Sequence, residues 1–188
     1  MENKTFISRG DADTILSEKE MEELVCEALS KCLNSKTNQG PVLILPPDIT
    51  RYHSRAGFLT DIVSNELGSR LGAVMPALGT HMPMTTDEQK KMFPKTPPDK
   101  FLVHDWRNDV VELGRLSADW VEKTTGGKVK YDWPIQVNKQ LRDGGYSMII
   151  SIGQVVPHEV IGMANHLKNE SVTGKIRGGR DFRYYKVV

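Results

Sequence analysis

Tyr146 to Gly153 reads YSMIISIG. The run is short, apolar and rich in isoleucine. Gly144–Gly145 stand before it and Gly153 closes it, which predicts a buried strand. Directly behind it comes QVVPHEVIGMANHLKN, residues 154–169, with two histidines, a lysine and two asparagines. The same juxtaposition occurs twice more. VLIL (42–45) runs into PPDITRYH (46–53), and AVMPAL (73–78) runs into GTHMPMT (79–85). Three polar clusters thus each follow an apolar strand candidate.

Helical patterns lie between these runs. In SEKEMEELVCEALSKCLN, Met21, Leu24, Val25, Ala28, Leu29, Cys32 and Leu33 repeat at helical spacing, and Ser17 with Glu20 fits a capping box. A second helix is expected from about Ser54, with Leu59, Ile62, Val63 and Leu67 as its inner face. A short third one follows a possible Thr85/Glu88 capping box. KFLVHD (100–105) reads as another strand, as does Val110–Leu113, with a hairpin or irregular stretch around Gly126–Gly127. IQVNKQLRDGG (135–145) reads as a short helix ended by its glycines. Alternating strands and helices predict one α/β domain over residues 1–188, a mostly parallel sheet with flanking helices in Rossmann-like layers. The tail, residues 170–188, is basic and poorly patterned.

The chain has 188 residues, 38% hydrophobic and 26% charged, with a formal net charge of +1. That balance gives no field drawing it to nucleic acid or an anionic membrane. No stretch has the length and apolarity of a membrane span, and the first residues lack the pattern of a signal peptide. Cys26 and Cys32 are separated by about 9 Å of helical rise, too far for a disulfide. A reduced, cytoplasmic protein is expected.

In an open parallel sheet, loops that follow strands share the carboxyl edge, where ligands bind. On that edge Asp48 could accept hydrogen bonds from backbone amides or a ribose hydroxyl. Thr50 could face phosphate near a helix start, and Arg51 offers a planar fork for phosphate or carboxylate. The plainer alternative is a turn with an Asp cap and a surface arginine. His81 would stand at a strand end, either exchanging a proton near neutral pH or capping a backbone carbonyl. His158, after Pro157, would sit at a helix start whose dipole keeps the imidazole neutral. Two such histidines could flank one substrate carbon, one base per face, which suits inversion of a stereocentre. Lys168 lies ten residues beyond His158, about 15 Å along an unbroken helix. A shared site therefore requires an interruption between Gly162 and Lys168. His104 is expected to bond Asp105. No histidine or cysteine spacing marks a protein-only metal centre.

DITR, ALGTHMPMTTDE, PIQVNKQL and GQVVPHEVIGMANHLKN together resemble the N-terminal domain of the nickel-pincer lactate racemase family, over roughly Pro41 to Asn169. The resemblance implies racemisation or epimerisation of small 2-hydroxy acids. It implies a cofactor, a pyridinium-derived mononucleotide carrying nickel, that takes hydride from the alpha carbon and returns it to either face. By the same resemblance Asp48, Ile49, Thr50 and Arg51 match the cofactor-holding segment. His81 and His158 match the catalytic histidines, which exchange the hydroxyl proton rather than a carbon-bound one. Lys168 matches the lysine that tethers the cofactor. Family members are longer, with a second, C-terminal domain, and carry a nickel-binding histidine after the tether. None follows Lys168 here, and Ala164–Asn165 replace the usual glycine pair of the tether loop. The expectation is a domain inactive on its own, with a non-catalytic nucleotide- or anion-binding module of the same fold as the alternative.

Overall fold

The computed structural model describes residues 5–11, 13–33, 39–79, 81–158, 162–164 and 183–187, with side chains described as far as Val155. Helix α1 (Glu18–Leu33) is followed by strand β1 (Val42–Leu45), a 3-10 turn over Ile49–Ser54, helix α2 (Ala56–Leu67) and strand β2 (Leu71–Val74). Helix α3 (Thr86–Met92), strand β3 (Val110–Leu116), helix α4 (Ala118–Thr124), strand β4 (Trp133–Asn138), helix α5 (Lys139–Asp143) and strand β5 (Met148–Ile152) come next. Short strands β6 (Val156–His158), β7 (Gly162–Ala164) and β8 (Arg183–Val187) complete the order.

The main sheet runs β2–β1–β5–β8, and each neighbouring pair is parallel. Strands β1 and β5 are buried along their whole length, as expected of strands covered on both faces. Alternation along each strand divides the side chains. Val42, Ile44, Val74, Met148, Ile150 and Ile152 join the core built with Val25 and Leu29 of α1 and Val63 and Leu67 of α2. Leu43, Leu45, Ala73, Met75, Ala77 and Ile149 form the opposite core, beneath Leu102, Leu141 and Tyr146. Each valine, leucine, isoleucine or methionine side chain withdrawn from water in this way contributes about 1.5–3 kcal/mol. The α/β class with a parallel sheet between flanking helices is therefore as the alternation predicted.

Both helix starts read from capping boxes are present. Ser17 and Glu20 exchange hydrogen bonds at the head of α1, and Thr85 and Glu88 do so at the head of α3. Cys32 lies in the core as its stripe predicts, and neither cysteine forms a disulfide. No helix among the described residues is long and apolar enough to cross a membrane.

Three local expectations are corrected. Phe101 makes a single parallel bridge to Val74 after a 3-10 turn, so KFLVHD is not a strand of the sheet. Ile135 to Asn138 belong to β4, antiparallel to β3, and the helix begins only at Lys139. The alternation of Ile135 and Val137 has period 2, and pairing with β3 outweighs the helical reading. Gly126 and Gly127, both at positive φ, stand in the irregular stretch expected there, just past the end of helix α4. In the tail, Arg183–Val187 pairs with β5 as strand β8.

Asp61 on α2 is buried against the segment that follows α3. Its Oδ1 accepts the Thr96 hydroxyl at 2.7 Å, and its Oδ2 accepts the Lys95 amide at 3.2 Å. Burial nevertheless pushes the carboxyl above its ordinary pKa, and these hydrogen bonds oppose the shift only in part. The folded chain thus keeps this proton to a higher pH than the unfolded one. The group's stabilising contribution is complete below the ordinary value of 3.8 and is lost as pH rises through the raised folded value. Asp61→Asn, which stays neutral, is expected to remove that decline. In urea melts between about pH 4 and pH 7, wild type should lose stability relative to the variant. Parallel curves would refute the assignment.

Candidate functional site

The carboxyl edge of the sheet is built by the way β1 ends. Past Leu45 come Pro46 and Pro47, which have no N–H to extend the ladder toward β5. The β2 side continues regardless. Met75 donates to the Ile44 carbonyl at 2.9 Å, Ala77 donates to the Pro46 carbonyl at 2.8 Å, and Pro47 bridges Ala77. On the other side β5 pairs with β1 only as far as Ser151 opposite Leu45. With β2 on one flank of β1 and β5 on the other, the order reverses direction here, the position at which open α/β sheets bind ligands.

Two loops held side by side through Pro47–Ala77 then turn toward each other. Asp48 caps the 3-10 turn, and its Oδ1 accepts the Thr50 amide at 3.0 Å and also the Thr50 hydroxyl. The Asp48 carbonyl accepts the Arg51 amide at 3.1 Å. In the second loop Gly79 takes a φ of 56°, in the left-handed region that suits glycine, and the His81 amide returns to the Leu78 carbonyl at 2.8 Å. The result is a contact between His81 Nδ1 and Asp48 Oδ2 of 2.6 Å. The carboxylate is buried, whereas the imidazole is 53% exposed.

The plain alternative for PPDITR holds in one respect: Asp48 does cap a turn. His81, by contrast, bonds a carboxylate rather than a backbone carbonyl. An ionised carboxylate only accepts hydrogen bonds, so Nδ1 carries the hydrogen, and in the neutral ring Nε2 is the acceptor. The short separation is that of a charge-assisted bond. No sequence signal links these two residues, which stand 33 positions apart.

The other expected site residues divide. Ile49 is half-buried and packs on the helix-side core, Thr50 is exposed, and Arg51 is half-buried, with a φ of −107° that breaks the turn's helical angles. His158 lies in β6, paired with Gly162 of β7, so an antiparallel pair stands where a helix start was expected. The His158 side chain, Lys168 and His166 lie outside the described residues. His104 is buried and its Nδ1 meets Asn138 Nδ2 at 2.9 Å, while Asp105 accepts from the Arg107 and Asn108 amides and the Asn108 side chain. Asn138 was not foreseen as its partner, because β4 was read as helix.

Ser151 adds a further feature of this edge. Its Oγ is buried, at the end of the β1–β5 pairing, and has no hydrogen-bond partner among the described residues. A groove of about 530 Å³ between α1, the 3-10 turn, α2 and the end of α3 is lined by Tyr52, His53, Arg55 and Asp61 among others, and neither Asp48 nor His81 lines it. Two of its cations are engaged within it, Arg55 on Glu18 and Lys91 over the Tyr52 ring. Among the described residues no three His, Cys, Asp or Glu side chains gather as a metal's donor set.

The family model described as "Lactate racemase N-terminal domain" matches residues 1–168. Among solved structures, a protein from Thermotoga maritima aligns at a TM-score of 0.65 with 26% identity, over 77% of this chain and 35% of its own. The lactate racemase apoprotein from Thermoanaerobacterium thermosaccharolyticum aligns at a TM-score of 0.53 with 20% identity, over 77% of this chain and 34% of its own. The chain thus spans about a third of the length of these structures. No curated protein matches it.

Proposed function

The chain belongs to the lactate racemase N-terminal domain family, and from that premise we propose that it is the cofactor-binding and catalytic-histidine part of a nickel-pincer-nucleotide-dependent racemase or epimerase of 2-hydroxy acids. The observation that carries this reading is the Asp48–His81 pair at the sheet's carboxyl edge. A histidine locked at Nδ1 and open at Nε2 suits reversible exchange of a substrate hydroxyl proton.

The residues present fit such a group in two further respects. The buried Ser151 hydroxyl lacks a partner among the described residues, as a polar atom awaiting a ligand would. Arg51 belongs to the same turn, its amide on the Asp48 carbonyl, and a guanidinium suits a phosphate or a carboxylate. When bound, a nickel-pincer nucleotide supplies an acceptor for the hydride of the substrate's alpha carbon. This chain's own part is narrower. Ile49, Thr50 and Arg51 would hold the nucleotide at the turn after β1. His81 would take the hydroxyl proton at Nε2 on one side of the substrate, and His158 would do so on the other. Lys168 would tether the cofactor. A further domain would complete the site, so turnover by this chain alone is not expected.

The alternative, an anion-binding module without chemistry, has less to work with. The Thr50 and Arg51 amides, which could have faced an anion, already donate to Asp48. The two readings separate when the protein carrying this chain is co-produced with the enzymes that build the cofactor. Racemase chemistry predicts bound nickel by elemental analysis and an adduct on the Lys168 peptide by mass spectrometry. Protein free of both, yet holding phosphate or a nucleotide near Arg51, would overturn it.

A further inference from the structure

Asp48 matched the cofactor-holding segment by resemblance, but its carboxylate has little left to offer a cofactor. Oδ1 is taken by the Thr50 amide and hydroxyl, Oδ2 is taken by His81 Nδ1, and the residue is 4% exposed. The first pair of bonds keeps the carboxylate from rotating and so fixes the direction of Oδ2. The backbone that carries the ring is set by the Gly79 turn and the His81–Leu78 backbone bond. Pro47–Ala77 pairing holds the two loops at a set distance. The carboxylate and the backbone of both loops are therefore restrained by contacts that involve no ligand, and the ring is left with Asp48 Oδ2 to set its direction. Supports of this kind set both the tautomer and the aim of a working histidine.

We infer that Asp48 is a positioning residue for His81, holding the imidazole as its Nδ1–H tautomer with Nε2 turned outward, and not a contact to the cofactor. The inference rests on the reading of His81 as the proton-exchanging residue. Its structural half stands apart from that reading. When Nε2 accepts a proton from a substrate hydroxyl, the O–H electron pair stays on oxygen and an N–H bond forms. The ionised carboxylate then lies 2.6 Å from the imidazolium that results.

The test begins with the ¹⁵N-labelled 188-residue chain and long-range ¹H–¹⁵N spectra at about pH 8.5, where a histidine of ordinary pKa is neutral. The His81 signals are those lost in His81→Gln. Wild type is expected to show Nδ1–H. Asp48→Ala should lose that fixed tautomer. Thr50→Val, which removes the hydroxyl contact but leaves Oδ2 on the ring, should keep it. A wild-type His81 in the Nε2–H form, or one unchanged in Asp48→Ala, overturns the inference. Should Asp48→Ala fail to fold, wild type and Thr50→Val still decide, since positioning requires Nδ1–H in both.

The second arm uses the nickel-loaded protein that carries this chain. Asp48→Ala is expected to keep its nickel and lose about 10²–10⁴-fold in kcat, with KM changed less than about threefold. Loss of nickel in step with activity, at an unchanged rate per bound nickel, would return Asp48 to cofactor binding. The spectra need no cofactor. Nδ1–H at His81 in a protein that never takes up nickel would sink the racemase reading and leave the pairing standing.

Discussion

His81→Asn is expected to lower kcat by about 10²–10⁴-fold in a protein that carries this chain and racemises a 2-hydroxy acid, while leaving folding unchanged. The asparagine amide nitrogen falls near the place of Nδ1, so it can still donate to Asp48 Oδ2. What disappears is Nε2, on a side chain that is 53% exposed and contributes little to the core. His81→Ala removes both nitrogens. It leaves Oδ2 of a carboxylate 5% exposed without its donor, at a cost of about 1–3 kcal/mol. The pair of variants therefore separates chemistry from stability. Equal losses in rate, with a lower melting temperature in the alanine variant only, assign proton exchange to Nε2. A wild-type rate in His81→Asn would show that the ring's outer nitrogen carries no proton.

What could be read from the sequence, and what could not, follows from how local each cause is. The carboxyl edge was legible because each apolar run is stopped by its own neighbours: Pro46 and Pro47 after β1, Gly153 after β5. Capping boxes at Ser17/Glu20 and Thr85/Glu88 were legible because both partners lie within four residues. The Asp48–His81 bond was not, although both residues were singled out. It depends on β1 and β2 staying paired for three residues beyond their last regular rungs, through the carbonyl of Pro46, a residue that has no N–H of its own. Ile135–Asn138 failed for the opposite reason. Its local pattern suits either period, and only the presence of β3 across from it decides. The His104 partner was then lost with it, because Asn138 was assigned to a helix. The aspartate beside His104 in sequence instead closes its own turn through Arg107 and Asn108.

Gly57→Ala is expected to destabilise the chain by about 2–4 kcal/mol, against the usual sign for such a change in a helix. In a free helix interior alanine is favoured over glycine by about 1 kcal/mol. Here a β-carbon on Gly57 would fall 2.1 Å from the Met92 carbonyl oxygen and 3.0 Å from its carbonyl carbon. Those are backbone atoms at the end of α3, a helix closed by the Phe93 amide on the Gln89 carbonyl, with Met92 and Phe93 themselves buried. No side chain can swing away to make room, so the helices must part. Urea denaturation measures the loss, with Gly114→Ala as the comparison, since a β-carbon there meets nothing within 4 Å and the change should stay within about 0.5 kcal/mol. The consequence reaches the site because of what these two helices carry. α2 begins directly after the turn capped by Asp48, and α3 is capped by Thr85, four residues past His81. The glycine contact thus joins the two helices that continue from the loops carrying Asp48 and His81. A folded Gly57→Ala variant should therefore also lose the fixed tautomer of His81. If it kept that tautomer while losing stability, the pair would be held by the Pro47–Ala77 pairing alone.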